Sequence, residues 1–216
     1  MKKLVQTKST NVLAILILFI FSSCNPSSDP LRKFVGSYRN YTNVNGKIKN
    51  GTYYEPYGRF SIKVPNMVTP GMIIDGKFIE SGGTIGFRDD FGALVRIDLI
   101  TAIDNESKKF LVDDNWKLVF PRVRNNFLSL YKETVPNSTL IYQKDIVWNG
   151  KNADSFVVDL KKSGAIRTSI GFMHKGSFYL ISTQPSMLVI SGKNLEDDIK
   201  QRIDYTKRIV ETIILN

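Results

Sequence analysis

The chain has 216 residues, with 30 Lys and Arg against 20 Asp and Glu, and therefore a formal net charge of +10. One Cys excludes an internal disulfide, and one Cys with one His argues against a zinc site built from several such ligands. The length suits one domain that buries a core without disulfide support.

The first residues have the pattern of a secretory signal. Ten apolar residues, Val12 to Phe21, follow a segment that contains Lys2, Lys3 and Lys8 and no acidic residue. A helix needs about 20 apolar residues to cross the hydrocarbon core, so this run is too short for a permanent span. The sequence therefore predicts export of the protein.

The apolar run ends at the only cysteine. The residues Phe21-Ser22-Ser23-Cys24 resemble a bacterial lipobox, in which the thiol receives diacylglycerol before the signal is cut off just ahead of it. Acylation also explains a lone thiol in an exported protein. We therefore expect a lipoprotein signal peptide over residues 1–23 and lipidation of Cys24. The alternative is an ordinary signal peptide that is cut elsewhere. Removal of residues 1–23 takes away three lysines and no acid, so the charge falls from +10 to +7.

Residues 24–30 are polar and contain Pro26 and Pro30, as expected of a tether. Asn25, in place of Asp, resembles the arrangement that directs enterobacterial lipoproteins to the outer membrane. The sequence predicts a protein of the bacterial cell envelope that the lipid at Cys24 holds on the membrane, with the periplasmic side of the outer membrane favoured. This compartment argues against nucleic acid as a partner of the basic surface. Anionic lipids, phosphorylated glycans or an acidic protein fit better.

Residues 31–56 are predicted to form a partly ordered arm that is rich in Asn, Gly, Tyr and Lys. Its basic residues follow the predicted anchor closely, so they are candidates for contact with an anionic surface. They are Arg32, Lys33, Arg39, Lys47 and Lys49. The alternative is an arm that packs its tyrosines on the sheet.

Residues 57–216 are predicted to form a single domain that begins with strands. Phe60, Ile62 and Val64 alternate with polar residues, which indicates a half-buried strand. Two further short strands are expected, at 67–75 and 77–79. Residues 84–87 and 93–100 flank an acidic turn and predict a hairpin. The glycines of Ser81-Gly82-Gly83 predict a loop between strands.

The middle of the chain changes to helical spacing. The apolar residues with this spacing are Val112, Trp116, Val119 and Phe120, followed by Val123, Phe127, Leu130 and Tyr131. Pro121 stands between the two groups and allows a break there, because proline is well tolerated in the first turn of a helix.

Strands return after the helices. Four runs separated by glycine turns predict an antiparallel meander: 140–148, 155–160, 165–173 and 177–183. An apolar stripe from Leu195 to Ile213 then predicts an amphipathic C-terminal helix with Asn194 as its N-cap. The expected fold class is α+β, an antiparallel β-sheet covered by helices.

Two segments resemble the PsbP-like group of proteins. Tyr57 to Pro65, YGRFSIKVP, is similar to the opening strand of that group, and Gly171 to Thr183 is similar to its late hairpin. The resemblance implies an α/β/α sandwich around an antiparallel sheet. It also implies a non-catalytic accessory or assembly factor, because members of the group mostly bind partners.

Candidate catalytic residues are few. His174 is the only histidine, and it lies in a predicted hairpin turn near Ser169 and Ser177, without a G-x-S-x-G motif. The acidic pairs Asp89-Asp90, Asp113-Asp114 and Asp197-Asp198 lack the spacing of a calcium loop. No catalytic, cofactor-binding or metal-binding residue is assigned.

These patterns predict a lipid-anchored envelope lipoprotein that acts as a non-catalytic binding or assembly factor for an envelope protein complex. Two alternatives stay open. One is an envelope hydrolase that uses His174 or a carboxylate pair. The other is a protein that binds anionic lipid or glycan through its basic surface.

Overall fold

The computed structural model describes residues 45–65, 72–89, 92–160, 165–185 and 194–216. Strands dominate these residues. In chain order they are Lys47–Lys49 (β1), Thr52–Tyr54 (β2), Phe60–Lys63 (β3), Met72–Ile79 (β4), Gly82–Arg88 (β5), Leu94–Thr101 (β6), Thr139–Trp148 (β7), Lys151–Leu160 (β8), Ala165–His174 (β9), Ser177–Gln184 (β10) and Ile213–Leu215 (β11). The helices are Asn105–Phe110 (α1), Trp116–Thr134 (α2) and Leu195–Val210 (α3), with a 3₁₀ turn at Asp113–Asn115.

The strands form two sheets within the described part of the chain. The small sheet has four strands in the order β1-β2-β3-β11, and the large sheet has seven in the order β4-β5-β6-β10-β9-β8-β7. Every neighbouring pair is antiparallel. The predicted α+β class with an antiparallel sheet is therefore confirmed.

Two tight turns set the register of the meander from β7 to β10. Asn149-Gly150 joins β7 to β8, and Lys175-Gly176 joins β9 to β10. All four residues have positive φ, between 47° and 72°. Two-residue turns with this backbone match the twist of antiparallel strands, which is why Asn-Gly favours hairpins.

The large sheet buries apolar side chains on both faces. Successive side chains of a strand point to opposite faces, so Phe178 and Leu180 pack toward α2, whereas Tyr179 and Ile181 pack toward the small sheet. Helix α3 lies on the small-sheet side, where Thr206 shares a buried hydroxyl hydrogen bond of 2.7 Å with Thr183 of β10. The two helices therefore cover opposite faces of the large sheet.

Helix α3 begins at a side-chain cap. The Asn194 Oδ1 accepts a hydrogen bond of 2.9 Å from the backbone N–H of Asp197. Acidic residues occupy the first turn and Lys207 and Arg208 occupy the last, which suits the helix dipole at both ends.

Asn45 lies along the outer edge of β4. Its side chain donates a hydrogen bond of 2.7 Å to the carbonyl of Phe78 and accepts one of 2.8 Å from the N–H of that residue. Its own backbone N–H donates to the carbonyl of Gly76 at 2.7 Å. Asn45 thus makes the hydrogen bonds that a neighbouring strand would make at this position.

Two predictions in the β4–β5 region were wrong. The expected separate strand at 77–79 is part of one strand, β4, which has a bulge between Ile74 and Gly76. Gly82 and Gly83 lie in β5 rather than in a loop. They pass so close to the backbone of the neighbouring strands that a Cβ on Gly82 would meet the Leu99 carbonyl. The glycines therefore permit strand pairing here. Residues 67–71 lie outside the described residues.

Two helix boundaries also differ from the predictions. Helix α2 runs unbroken through Pro121, which removes only the hydrogen bond to the carbonyl of the exposed Lys117. Helix α3 ends at Val210, so Ile213 does not belong to the helical stripe. Instead Ile213 lies in β11, where it pairs with Ile62 of β3 and buries its side chain in the core.

The residues assigned to the arm divide into two parts. Residues 45–56 include β1 and β2, and Tyr53 of β2 is completely buried, with its hydroxyl donating to the Asn45 carbonyl at 2.7 Å. Residues 31–44, the tether at 24–30 and the signal at 1–23 lie outside the described residues.

Candidate functional site

A buried ion pair shapes the turn between β2 and β3. The Glu55 Oε2 accepts hydrogen bonds of 3.0 Å from the backbone N–H groups of Tyr57 and Arg59. The other oxygen, Oε1, accepts from Nε of Arg59 at 3.1 Å and from Nη2. The Glu55 side chain has no exposed surface. Its charge is therefore compensated by the guanidinium and by two backbone dipoles.

Arg59 also joins the small sheet to the large sheet. Its Nη1 donates to the Glu80 carbonyl at 2.8 Å and to the Thr101 hydroxyl at 3.0 Å. Its Nη2 donates to the Ile79 carbonyl at 3.0 Å. Through these bonds Arg59 positions β3 against the β4–β5 turn.

The small sheet presents one face to the core, and the other face carries mostly exposed or half-buried side chains, with Ser61 buried among them. Residues directly opposite each other in an antiparallel pair share a face. The inner face has Tyr53, Ile62 and Ile213 in one row across the sheet. The outer face, which we call the lysine face, consists of Lys47, Lys49, Thr52, Tyr54, Ser61, Lys63 and Ile214.

Two rows cross the lysine face. One row runs Lys47, Tyr54, Ser61 and Ile214, and the other runs Lys49, Thr52 and Lys63. The three lysines are exposed, as are Tyr54 at 47% and Ile214 at 62%. No residue of this face is acidic. Lysines interspersed with an exposed tyrosine and isoleucine are typical of surfaces that meet a lipid–water interface.

Of the residues predicted for contact with an anionic surface, Lys47 and Lys49 lie side by side on the lysine face. Cys24, Arg32, Lys33 and Arg39 lie outside the described residues. Sequence reasoning missed Lys63 and Ile214 as parts of this face. Lys63 carried a signal, because it is the outward residue of the alternating run from Phe60 to Val64. Ile214 carried none, because only the pairing of β11 with β3 brings it there.

His174 is the last residue of β9 rather than part of the turn, and it is half-buried. Burial lowers its pKa from the ordinary value of 6.5, and Lys151 and Lys175 lower the pKa further. A hydrogen bond to the backbone of Asn216 opposes these effects. The ring is therefore neutral at pH 7.

The two serines near His174 have other partners. The Ser177 hydroxyl shares a hydrogen bond of 3.1 Å with Thr101, and the Ser169 hydroxyl shares one of 2.9 Å with Ser182. Ser169 lies on the opposite face of β9 from His174, because the two are an odd number of residues apart. Within the described residues, neither serine hydroxyl is hydrogen-bonded to the His174 ring.

The residues of the three acidic pairs that the structure describes lie at turns and at a helix start, and Asp90 lies outside the described residues. Asp89 is buried at the β5–β6 turn, where its Oδ1 accepts from the N–H of Ala93 at 2.8 Å. Asp198 pairs with Arg202 one helical turn later, at 2.8 Å. Asp113 and Asp114 occupy the exposed 3₁₀ turn. Across the described ranges, no three His, Cys, Asp or Glu side chains are grouped as metal ligands. Among these residues there is also no helix long and apolar enough to span a membrane.

A second surface feature lies between α1, α2 and the C-terminal end of β6. It is a groove of about 570 Å³, lined by apolar side chains that include Ile100, Val119 and Phe178. Arg122 stands at its rim, with its guanidinium over the Phe110 ring at 5.5 Å from the centroid. The groove is apolar enough to accept a side chain from another molecule.

No protein-family model matches the chain, and no curated protein matches its sequence. Among solved structures, the chain is similar to cyanobacterial PsbP (CyanoP) from Synechocystis sp. PCC 6803. The TM-score is 0.51 and the identity is 10%, over 80% of this chain and 99% of that one. The chain therefore has a weak PsbP-like resemblance in fold, as the segments around Phe60 and Phe178 predicted.

Two more distant similarities have TM-scores below one half. One is to PA94 from Pseudomonas aeruginosa, a protein of unknown function described as a putative regulator, at TM-score 0.41 and 10% identity over 68% of this chain and 99% of that one. The other is to a protein from Bacteroides thetaiotaomicron VPI-5482, at TM-score 0.35 and 8% identity over 78% of this chain and 49% of that one.

Proposed function

We propose that the chain is a lipid-anchored lipoprotein of the bacterial envelope, which acts as a non-catalytic binding or assembly factor for an envelope protein complex. The observation that carries this proposal is the lipobox-like end of the apolar run at Cys24, followed by a polar tether. The weak PsbP-like resemblance of the fold also supports the proposal. We assign the α/β/α sandwich of that group to this chain. Helices α2 and α3 are its outer layers.

The first test concerns the anchor. Cys24→Ala is expected to abolish incorporation of labelled palmitate and to release the protein from the membrane fraction. Ser22→Ala is the matched control, because it changes a small residue of the same motif and leaves the thiol in place. Retention of Cys24→Ala in the membrane fraction would contradict the anchor.

The second test concerns the partner. Crosslinking of intact cells, followed by purification of the protein, is expected to recover one envelope protein repeatedly. Recovery should fall in Ile100→Lys, which places a charge in the groove, and should persist in Leu130→Lys, which changes an exposed leucine elsewhere on α2. Absence of any repeated crosslink partner would count against an assembly role.

The lysine face favours a second candidate function, contact with anionic lipid head groups. Each lysine near an anionic surface contributes about 1 kcal/mol to binding. Lys47, Lys49 and Lys63 present three such charges with no acid among the residues of that face. The face also begins 23 residues after Cys24, so the proposed anchor holds it near the bilayer and a weak affinity suffices.

Vesicles carrying the lipidated chain from Cys24 onward test this contact. Amine acetylation read by mass spectrometry should slow at Lys47, Lys49 and Lys63 when phosphatidylglycerol is added to phosphatidylcholine. Lys132 and Lys144, exposed elsewhere on the domain, are internal controls. High salt should restore the labelling, since the Debye length falls to about 3 Å at 1 M. Equal labelling in both kinds of vesicle would exclude the contact.

A further inference from the structure

Arg167 carries a positive charge inside the fold. It lies on β9, on the face of the large sheet that packs toward α2, and only 2% of its surface is exposed. An arginine keeps its charge at every physiological pH. Its guanidinium therefore needs partners within the structure.

The partners that the fold supplies are weak. Nη1 donates to the Tyr131 hydroxyl at 3.5 Å, and Nη2 donates to the Gln184 side-chain oxygen at 3.4 Å. Both distances lie at the long end of the range for N–H···O hydrogen bonds. The guanidinium also lies over the Tyr131 ring, 5.4 Å from its centroid. The Nε atom is buried and has no hydrogen-bond partner.

Four other arginines with small exposed fractions are held differently, because each of them forms an ion pair. Arg59, Arg96, Arg124 and Arg202 each pair with a carboxylate at 2.5 to 2.8 Å. Within the described ranges, no carboxylate forms an ion pair with Arg167. The segments that flank its hairpin in sequence, 161–164 and 186–193, contain three lysines and no acidic residue. Among the described residues this guanidinium has no counter-charge, and a buried charge without one is strongly unfavourable.

The surroundings of Arg167 suit an anion. The neighbouring row on the same face carries Ser169 and Ser182, whose buried hydroxyls are hydrogen-bonded to each other, and then Arg96 of β6 opposite Ser182. Gln184 is only half-buried and is the last residue of β10, beside Arg167. The side-chain oxygen of Gln184 already accepts a long hydrogen bond of 3.4 Å from Nη2 of Arg167.

We propose that Arg167 is the anchor of a binding site for a small oxyanionic ligand, which presents a carboxylate or a phosphate between β9, β10 and α2. The oxyanion accepts from Nε and one terminal nitrogen of the guanidinium in the bidentate geometry that arginine favours. It displaces the Gln184 oxygen, and the Tyr131 hydroxyl is a further donor within reach. This site is separate from the lysine face and the groove.

Thermal unfolding of the purified full-length chain in detergent tests the site, with sodium phosphate and sodium succinate as probes at constant ionic strength. We expect a saturable rise in Tm with at least one of them. The ion that acts at lower concentration identifies the chemistry as phosphate or carboxylate. Isothermal titration with that ion should then show an affinity of Arg167→Lys at least tenfold weaker than that of the parent, because lysine keeps the charge but cannot make two parallel hydrogen bonds to the oxyanion. Arg208→Lys, at an exposed position of α3, is the matched control and should bind as the parent does.

A gain-of-function variant keeps the test valid if Arg167 variants unfold. Gln184→Glu places a carboxylate beside the guanidinium, so it should raise Tm without added anion and abolish the response to the probe. Two results would overturn the proposal. One is a Tm of the parent chain that does not respond to either ion beyond the effect of chloride. The other is a Gln184→Glu variant that responds to the probe as the parent does.

Discussion

The Arg124 guanidinium lies 2.5 Å from the Asp154 carboxylate and joins helix α2 to strand β8. Asp154 is almost completely buried, and Gln143 of β7 donates to its second oxygen at 3.0 Å. Burial raises the pKa of Asp154 above its ordinary value, although Gln143 and Arg124 both oppose the rise. The pair therefore positions α2 on the sheet at a substantial cost in desolvation.

Removal of one member of this pair should cost more than removal of both. Arg124→Met leaves the Asp154 carboxylate buried and uncompensated, so we expect the free energy of unfolding to fall by about 3–5 kcal/mol. The double variant Arg124→Met/Asp154→Leu should recover most of that loss. Urea unfolding measures both, with the exposed Arg122→Met as control. Equal stabilities of Arg124→Met and Arg122→Met would contradict the account.

Arg59 should contribute to the stability with which the small sheet packs on the large sheet. Arg59→Lys keeps the charge but cannot reach the carbonyls of Ile79 and Glu80 together with Glu55. We expect a loss of about 1–3 kcal/mol in the free energy of unfolding from the acceptors left without donors. Hydrogen exchange should speed up in β3 and β11 more than in β8. Uniform acceleration across both sheets would show that Arg59 has no special role between them.

Gly82→Ala tests the close approach of β5 to β6. Gly82 has φ of +133°, and a Cβ there would collide with the Leu99 backbone, so the free energy of unfolding should fall by about 3 kcal/mol or more. Gly92→Ala is the matched control, because Gly92 also has positive φ, +80°, but open space around it. It should lose only about 1 kcal/mol from the strained backbone. Similar losses in the two variants would refute the steric explanation.

His174 should make stability depend on pH. Its folded pKa is below the unfolded value of 6.5, so the folded protein binds this proton less readily than the unfolded chain does. The contribution of His174 is therefore complete above pH 6.5 and is lost as the pH falls through the folded pKa. As the pH is lowered below 6.5, the Tm of His174→Gln should therefore fall less than the Tm of the parent. An unchanged pH profile in His174→Gln would show that another group is responsible.

The sequence was most informative where structure depends on neighbours along the chain. Alternation and the Asn149-Gly150 turn specify a hairpin locally, and the Asn194 cap specifies where α3 begins. The small sheet depends instead on pairing between Ser61 and Ile214, which are far apart in sequence. Strands of three residues, such as β1, β2 and β11, carry too little alternation to be recognised, so the lysine face became visible only through their register with β3.

Arg167 could not be recognised for a related reason. In the run Ala165-Ile166-Arg167-Thr168, a charged residue after an apolar one indicates the outward side of a half-buried strand. The large sheet is covered on both faces, and α2 covers the side on which Arg167 lies. Burial of that position follows from packing between elements, which no local pattern reports.

The position of Asn45 has a consequence for self-association. A sheet grows into a fibre only if both of its edges can recruit a strand from another molecule. At β4 the chain itself already uses the donor and acceptor of Phe78 and the acceptor of Gly76. Over this part of β4 a strand from another copy finds these groups already hydrogen-bonded, so Asn45 disfavours pairing between copies at this edge of the large sheet.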